Sequence, residues 1–343
     1  MVQPRDLVRW LASGDLGTPS GHCLSWWNPD HAGYAYPEIS GLLLRLLALA
    51  DVAPARRQGL RHALLEGYAP GQAVQRGGQG YTFDTAMALA GLLATTQPAD
   101  LAGTARDRAA GGADLGRAAL GWTTLLITAA QEADAAPGQP AGGRPAAGTR
   151  WSMAFGAHQA KVCGALLEAE RVLGPRPDLS DAITACATAA LAVQEDDGRF
   201  RIHAASPLTY THSHCYAVEG LLMRAAARRG ANLHEAAAGA AWLAAAQQPD
   251  GSLRAWHDGR TAAGPARADA TAQALRIWVL VDHDRFAGQA DRARGFLSGL
   301  CASPRGLRYE PGSGDVNAWA TIFATQALTW HADPAGAHAA RIV

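Results

Sequence analysis

Residues 242–253 read Trp-Leu-Ala-Ala-Ala-Gln-Gln-Pro-Asp-Gly-Ser-Leu, and this stretch decides the fold. An aromatic-Leu pair closes a helix, Gln247 follows, and Asp250-Gly251 turns the chain before Leu253. Gln194, Asp197, Gly198 and Phe200 repeat the pattern. An eroded copy runs from Phe296-Leu297 through Cys301, in the place of Gln, to Gly306 and Tyr309. Trp10-Leu11 is the remnant of a fourth. A repeat of this kind outranks other signals, because one unit cannot bury its apolar face alone and must stack on the next.

Outward from these copies, Ala/Leu-rich segments of helical period alternate with loops rich in Gly, Pro and Asp. β-branched residues are sparse and strict alternation is missing, so strands are not expected. Helices of two kinds emerge. Those at roughly 2–13, 54–69, 105–133 (broken), 179–194, 233–248 and 287–302 have one apolar face. Those at roughly 38–51, 84–96, 156–173, 209–229, 268–284 and 317–331 are apolar on most sides. The first kind suits a surface and the second a buried position. Their strict alternation predicts an all-α, single (α/α)6 toroid, one domain over 1–343, with a flexible Gly/Pro/Ala-rich loop at about 134–150.

That architecture also places a site. If every hairpin runs from outer to inner helix, the inner helices are parallel and their N-termini ring one end of the barrel. The outer-to-inner loops, 14–37, 70–83, 134–155, 195–208, 249–267 and 303–316, cover that same end.

Composition narrows the function. The chain has 343 residues, 48% of them hydrophobic, enough for a large core. Formal net charge is zero, which gives no sign of nucleic acid or an anionic membrane as partner. No signal segment or membrane-length apolar run is found, so a cytoplasmic location is expected, with peripheral membrane contact left open. The five Cys show neither a disulfide framework nor zinc spacing. His212 and His214 lie two apart and do not share a helix face, which argues against a two-His metal site. No metal and no cofactor are expected, and no phosphate-loop, dinucleotide or serine-hydrolase motif is present.

Six polar residues stand at or near the starts of the inner helices: Glu38, Asp84, His158, His212, Asp269 and Asn317. Trp26, Trp27, Tyr34 and Tyr36 make an aromatic wall beside Glu38; Tyr81, Phe83, Tyr210, His214, Trp256 and Trp319 complete a candidate lining. The plain structural alternative is that Asp, Thr and Asn here cap helices, and that Gln194 and Gln247 tie one hairpin to the next.

The repeat Trp242–Leu253 resembles the QW repeat of terpenoid cyclases, with Leu253 in place of the final aromatic. Phe83-Asp84-Thr85-Ala86 resembles the end of the acid motif of class II cyclases, with Phe83 where the central, proton-donating Asp would stand. Asp269-Ala270-Thr271-Ala272-Gln273 is similar to the corresponding oxidosqualene cyclase motif. In segment order, the inner-helix starts are also similar to uronyl-epimerase-like toroid proteins of exopolysaccharide assembly.

The first resemblance implies a class II, protonation-initiated terpenoid or meroterpenoid cyclase on an isoprenoid substrate. Such an enzyme needs a dry carboxylic acid and aromatic faces for carbocations. Asp84 is preferred as its acid over Asp269, because Arg267 is expected to hold Asp269 ionised; His158 or His212 would help to hold the proton. The second implies a sugar or uronate epimerase or lyase on a glycan, with His212, His214, Tyr210 and Glu38 as acid–base groups. The lack of an Arg cluster at the helix starts weighs against a uronate, though Arg201 and Arg267 are candidate partners for its carboxylate. A non-catalytic glycan- or lipid-binding toroid is the third reading.

Overall fold

The structure, a computed structural model, describes residues 3–97, 113–135 and 156–343. Twelve α-helices lie among them. The outer helices are α1 (Pro4–Ser13), α3 (Pro54–Glu66), α5 (Ala113–Ala135), α7 (Pro177–Leu191), α9 (Leu233–Ala246) and α11 (Ala287–Gly299). The inner helices are α2 (Pro37–Leu49), α4 (Thr82–Ala94), α6 (Val162–Leu173), α8 (Thr211–Ala227), α10 (Ala268–Asp282) and α12 (Ala318–Ala332). A 3₁₀ turn over Ala157–Lys161 leads into α6. Each inner helix touches the next, and α12 returns to α2, so the ring closes as an (α/α)6 toroid. Among the described residues no helix is long and apolar enough to cross a membrane. The expected flexible loop at 134–150 falls mostly outside the described residues.

The repeat is the fastening between hairpins. Gln194 Nε2 donates to the Gly198 carbonyl in its own turn and to Glu235 O at the start of the next outer helix. Gln247 does the same with Gly251 O and Gln289 O. A side chain at Gly198 or Gly251 would strike the backbone of that next helix, 2.4 Å from Ala238 O or 2.2 Å from Arg292 O, so only glycine fits. In the eroded copy Gly306 packs on Trp10 of α1, which joins the last hairpin to the first.

A second fastening recurs inside the ring. The fourth residue after an inner-helix N-cap accepts from a backbone N–H of the preceding loop. Ser40 takes Cys23 N, Thr85 takes Val74 N, Thr271 takes Leu253 N and Thr321 takes Leu307 N, at 2.9–3.0 Å. His214 fills this slot in the fourth hairpin, accepting from Phe200 N at 3.1 Å.

The little sheet among the described residues fits an all-α ring: seven strands of two to five residues, confined to the loops of one end. They are β1 (Trp26–Trp27), β2 (Gln75–Arg76), β3 (Gln79–Gly80), β4 (Thr209–Tyr210), β5 (Arg254–His257), β6 (Ala262–Ala266) and β7 (Val316–Asn317). β1 pairs with β7, β2 with β3, and β5 lies between β4 and β6, all antiparallel. Turn chemistry rather than strand propensity makes them. Gly77 and Gly78 both have positive φ, 56° and 77°, the two-residue turn that closes a β-hairpin.

Candidate active site

The residues that cap the inner helices, Tyr36, Tyr81, Gly156, Tyr210, Arg267 and Asn317, are structurally equivalent. Counting from them shows how the lumen is filled. The second residue along is Glu38, Phe83, His158, His212, Asp269 or Trp319. These meet across the mouth: Trp319 Nε1 donates to Glu38 Oε1 at 2.9 Å, His212 Nδ1 lies 3.3 Å from Asp269 Oδ2, and the Phe83 and His158 rings are 5.4 Å apart. One helical turn deeper, Tyr216 and Phe323 close the lumen beneath them. A further turn down come Arg45, Glu219, Arg276 and Gln326, a second buried polar layer. The spacing of four and then three residues is that of one helix face.

Glu38 is fully buried. Its Oε1 accepts from Trp319 and from Tyr216 OH (3.3 Å), while Oε2 has no hydrogen-bond partner in the protein. Burial pushes its carboxyl above the usual range, against the Trp319 hydrogen bond and the charges of His212 and Arg76. Asp84, the next residue inward on α4, receives Arg76 Nε on Oδ2 at 2.7 Å and keeps Oδ1 unpartnered. Burial and the neighbouring Glu38 push it up to about 8, with Arg76 opposing. One guanidinium therefore serves two buried carboxyl groups, which cannot both be ionised cheaply. Glu38 lacks a cation in direct contact, whereas Asp84 has Arg76 on one oxygen.

His212 sits between the rings of Tyr210 (5.9 Å) and Tyr216 (4.4 Å), with Asp269 against its Nδ1 edge. Asp269 is itself held by Ala270 N (2.8 Å) and Tyr309 OH (3.1 Å). A carboxylate on one edge of an imidazole favours one orientation of the ring. Burial drives His158 down to about 3, so it stays neutral.

Several sequence expectations need correction. Asp84 is not the helix cap, which is Tyr81; it lies inside the first turn. The guanidinium expected at Asp269 belongs to Asp84, because Arg267 turns to Glu310 and lies over Tyr309. His214 is withdrawn from the lining: Nδ1 accepts from Phe200 N and Nε2 donates to Gly239 O at 3.1 Å. Burial pushes it to about 3, consistent with that neutral tautomer. Asn317 is the N-cap of α12, its side chain accepting from Ala320 N. Successive residues of a strand face opposite ways, so Trp26 stays near Tyr34 (5.2 Å) while Trp27 lies under Arg305 (3.6 Å). Arg201 pairs with Glu195.

Tyr36 and Trp319 remain in edge contact at 4.9 Å, with Tyr34 5.5 Å from Tyr36. Tyr81 is covered by Arg76, whose guanidinium lies 3.8 Å from that ring and 4.2 Å from Tyr36. Tyr210 stacks on Trp256 at 4.7 Å. Three residues of this arrangement were not anticipated: Arg76, Tyr216 and Tyr309. The Gly77-Gly78 pair marks the turn that delivers Arg76, and Tyr216 stands one helical turn after His212. Tyr309 offered no comparable signal.

No family model matches the chain, and no curated protein matches it. Solved structures do. An unsaturated glucuronyl hydrolase specific for heparin superposes with TM-score 0.69 at 12% identity, over 96% of each chain. Cellobiose 2-epimerase from Bacillus thermoamylovorans B4167 gives 0.67 at 10% identity, over 95% of this chain and 98% of its own. A polysaccharide lyase gives 0.62 at 11% identity, over 95% and 96%. At such identities the likeness establishes the toroid fold, here shared with enzymes that act on carbohydrates. The terpenoid cyclase reading gains nothing from these neighbours, and hairpin ties account for the QW-like repeat.

Proposed function

We propose that this protein is a carbohydrate-active enzyme of epimerase or lyase type, working by acid–base chemistry on a sugar ring held at the toroid mouth. The observation that carries this reading is the pair of buried carboxyl oxygens without protein partners, Glu38 Oε2 and Asp84 Oδ1, beside the His212–Asp269 pair. A buried polar atom without a partner costs about 1–3 kcal/mol, more if charged. A polyol supplies hydroxyl groups to such atoms; an isoprenoid chain does not. The toroid neighbours named above, a glucuronyl hydrolase, an epimerase and a lyase, support the same class.

In this reading His212, oriented by Asp269, removes a proton from a carbon activated by an adjacent carbonyl or carboxyl group. Protonated Glu38 returns a proton to the opposite face, which inverts that carbon. In a lyase the same abstraction is followed by departure of the neighbouring glycosidic oxygen, which takes the proton from Glu38. Either way one proton leaves the substrate for His212 and one leaves Glu38; exchange with solvent resets both groups. Trp319 and Tyr216 keep the Glu38 carboxyl in place, and Arg76 donates to Asp84 Oδ2.

The test is incubation of the purified protein in D2O with a panel of oligosaccharides, followed by mass spectrometry and NMR. Epimerisation places deuterium on the inverted carbon, and elimination yields an unsaturated sugar. Turnover of a prenyl substrate, with no glycan altered, would overturn the reading.

A further inference from the structure

Among the described residues only two Tyr, Trp or Phe side chains are exposed, Tyr34 at 48% and Trp256 at 37%. They do not lie at random on the surface. Tyr34 touches Tyr36, Tyr36 touches Trp319, and the Trp319 indole donates to Glu38. Trp256 touches Tyr210, Tyr210 touches His212, His212 touches Tyr216, and the Tyr216 hydroxyl reaches Glu38. Two ladders of rings thus descend from the surface to one carboxyl group. The first starts in the loop of the first hairpin; the second starts on the three-stranded sheet between the fourth and fifth.

The sheet that carries Trp256 is built to present it. Tyr210 and Trp256 are directly paired across β4 and β5, so their side chains share one face of the sheet. Ala255, the alternate residue, is buried beneath. Gly264 of β6 runs beside the indole, where a side chain would come within 3.3 Å of its Cδ1. The indole is braced by its own hairpin and by Tyr210, and still leaves more than a third of its surface to solvent. A fixed aromatic face of this kind offers stacking area at little conformational cost. The ring-to-ring steps of 4.7 and 5.9 Å set this shelf beside His212 rather than on it.

We infer that the Trp256–Tyr210 shelf is a binding subsite for a second sugar, one that does not react, so that the substrate is an oligosaccharide or the end of a polysaccharide rather than a monosaccharide. This rests on the carbohydrate reading of the mouth. The C–H face of a pyranose is flat and apolar, and matches an exposed indole while its hydroxyl edge meets polar groups.

The experiment measures binding of the wild-type protein, Trp256→Ala and Trp256→Phe to an array of neutral and uronate-containing oligosaccharides from one to six sugars. Affinity of the wild type rises from mono- to oligosaccharide. Trp256→Ala removes that rise, about two- to tenfold for a single stacking contact, and Trp256→Phe keeps most of it. If Trp256→Ala shows the wild-type dependence on length, or the wild type shows none, the shelf is overturned and the carbohydrate reading stands. If the wild type binds no glycan on the array and alters none in D2O, the carbohydrate reading itself fails and the shelf falls with it.

Discussion

The toroid lumen holds two buried polar clusters, one at each end, and they differ in how completely the protein satisfies them. At the floor, Glu219 receives Lys161 Nζ at 2.7 Å and Arg276 Nε at 2.6 Å, one on each carboxyl oxygen. Arg45 donates to the carbonyls of Ile342 and Ala340, and Gln326 binds Arg341 O and Val343 N. Ile342 and Val343 are fully buried there. At the mouth, by contrast, Glu38 and Asp84 each keep a buried oxygen with no protein partner. Both ends bear the cost of desolvating charge. The floor pairs both oxygens of its carboxylate with cations, although Gln273 Oε1 there has no hydrogen-bond partner, whereas the mouth leaves one oxygen of each of its carboxyl groups open. Position in the barrel is alike for the two clusters; the partnering of their carboxyl oxygens is what differs.

The comparison breaks most visibly at His212. His212→Ala should lower turnover of a glycan substrate by about 10²–10⁴-fold, the usual worth of a general base, while the thermal midpoint stays near that of the wild type. A large drop in midpoint instead would class His212 with the floor.

Glu219 is the converse case. Glu219→Ala leaves Lys161 and Arg276 as buried charges without their partner, and should cost about 3–5 kcal/mol in denaturant unfolding. Glu38→Gln loses no cation in direct contact and should cost far less by the same measure. Equal losses would erase the distinction between the two ends.

The ends should also respond oppositely to pH. Asp84 is raised from 3.8 to about 8, so between those values the folded protein binds more protons than the unfolded one. Its contribution to stability is fully present below 3.8 and is lost as pH rises through about 8. Burial lowers Lys161 from 10.5 to about 7, with Glu219 opposing, so its contribution is present above 10.5 and lost as pH falls through about 7. Unfolding curves across pH should show Asp84→Asn flattening the first loss and Lys161→Met flattening the second.

The smallest effects belong to the fastenings. Gln247→Ala removes two hydrogen bonds to backbone carbonyls, at about 1 kcal/mol each. Asn317→Ala removes a helix cap, also about 1 kcal/mol. Neither should change kcat. A fall in kcat for Asn317→Ala would return that residue to the substrate lining.

How much of this was written in the sequence can be seen residue by residue. The alternation of one-faced and all-apolar helices carried the toroid, because helical periodicity is local and reports burial directly. Four outer-helix ends, expected at 69, 194, 248 and 302, were read two or three residues too long, since residues such as Gln194, Gln247 and Cys301 continue the helical pattern but stand beyond the helix ends, which are Glu66, Leu191, Ala246 and Gly299. Parallel inner helices were enough to bring Glu38, His158, His212, Asp269 and Trp319 to one end.

Which of those side chains are engaged elsewhere was a tertiary matter. His214 and His212 are two residues apart on one helix, yet one completes a loop and the other faces the lumen. Their difference lies in Phe200, Gly239 and Asp269, which belong to other hairpins. Arg76, for which the sequence suggested no role, rather than Arg267 serves a site carboxylate for the same reason: a guanidinium on a long side chain goes to whichever carboxylate the fold brings near, and sequence distance does not record that. The sequence by itself determined the helical ring, its repeat and the end that gathers the polar residues, because those follow from periodicity along the chain. Partnership among buried charges, and so the contrast between a fully paired carboxylate at the floor and open carboxyl oxygens at the mouth, was decided only when non-local elements met.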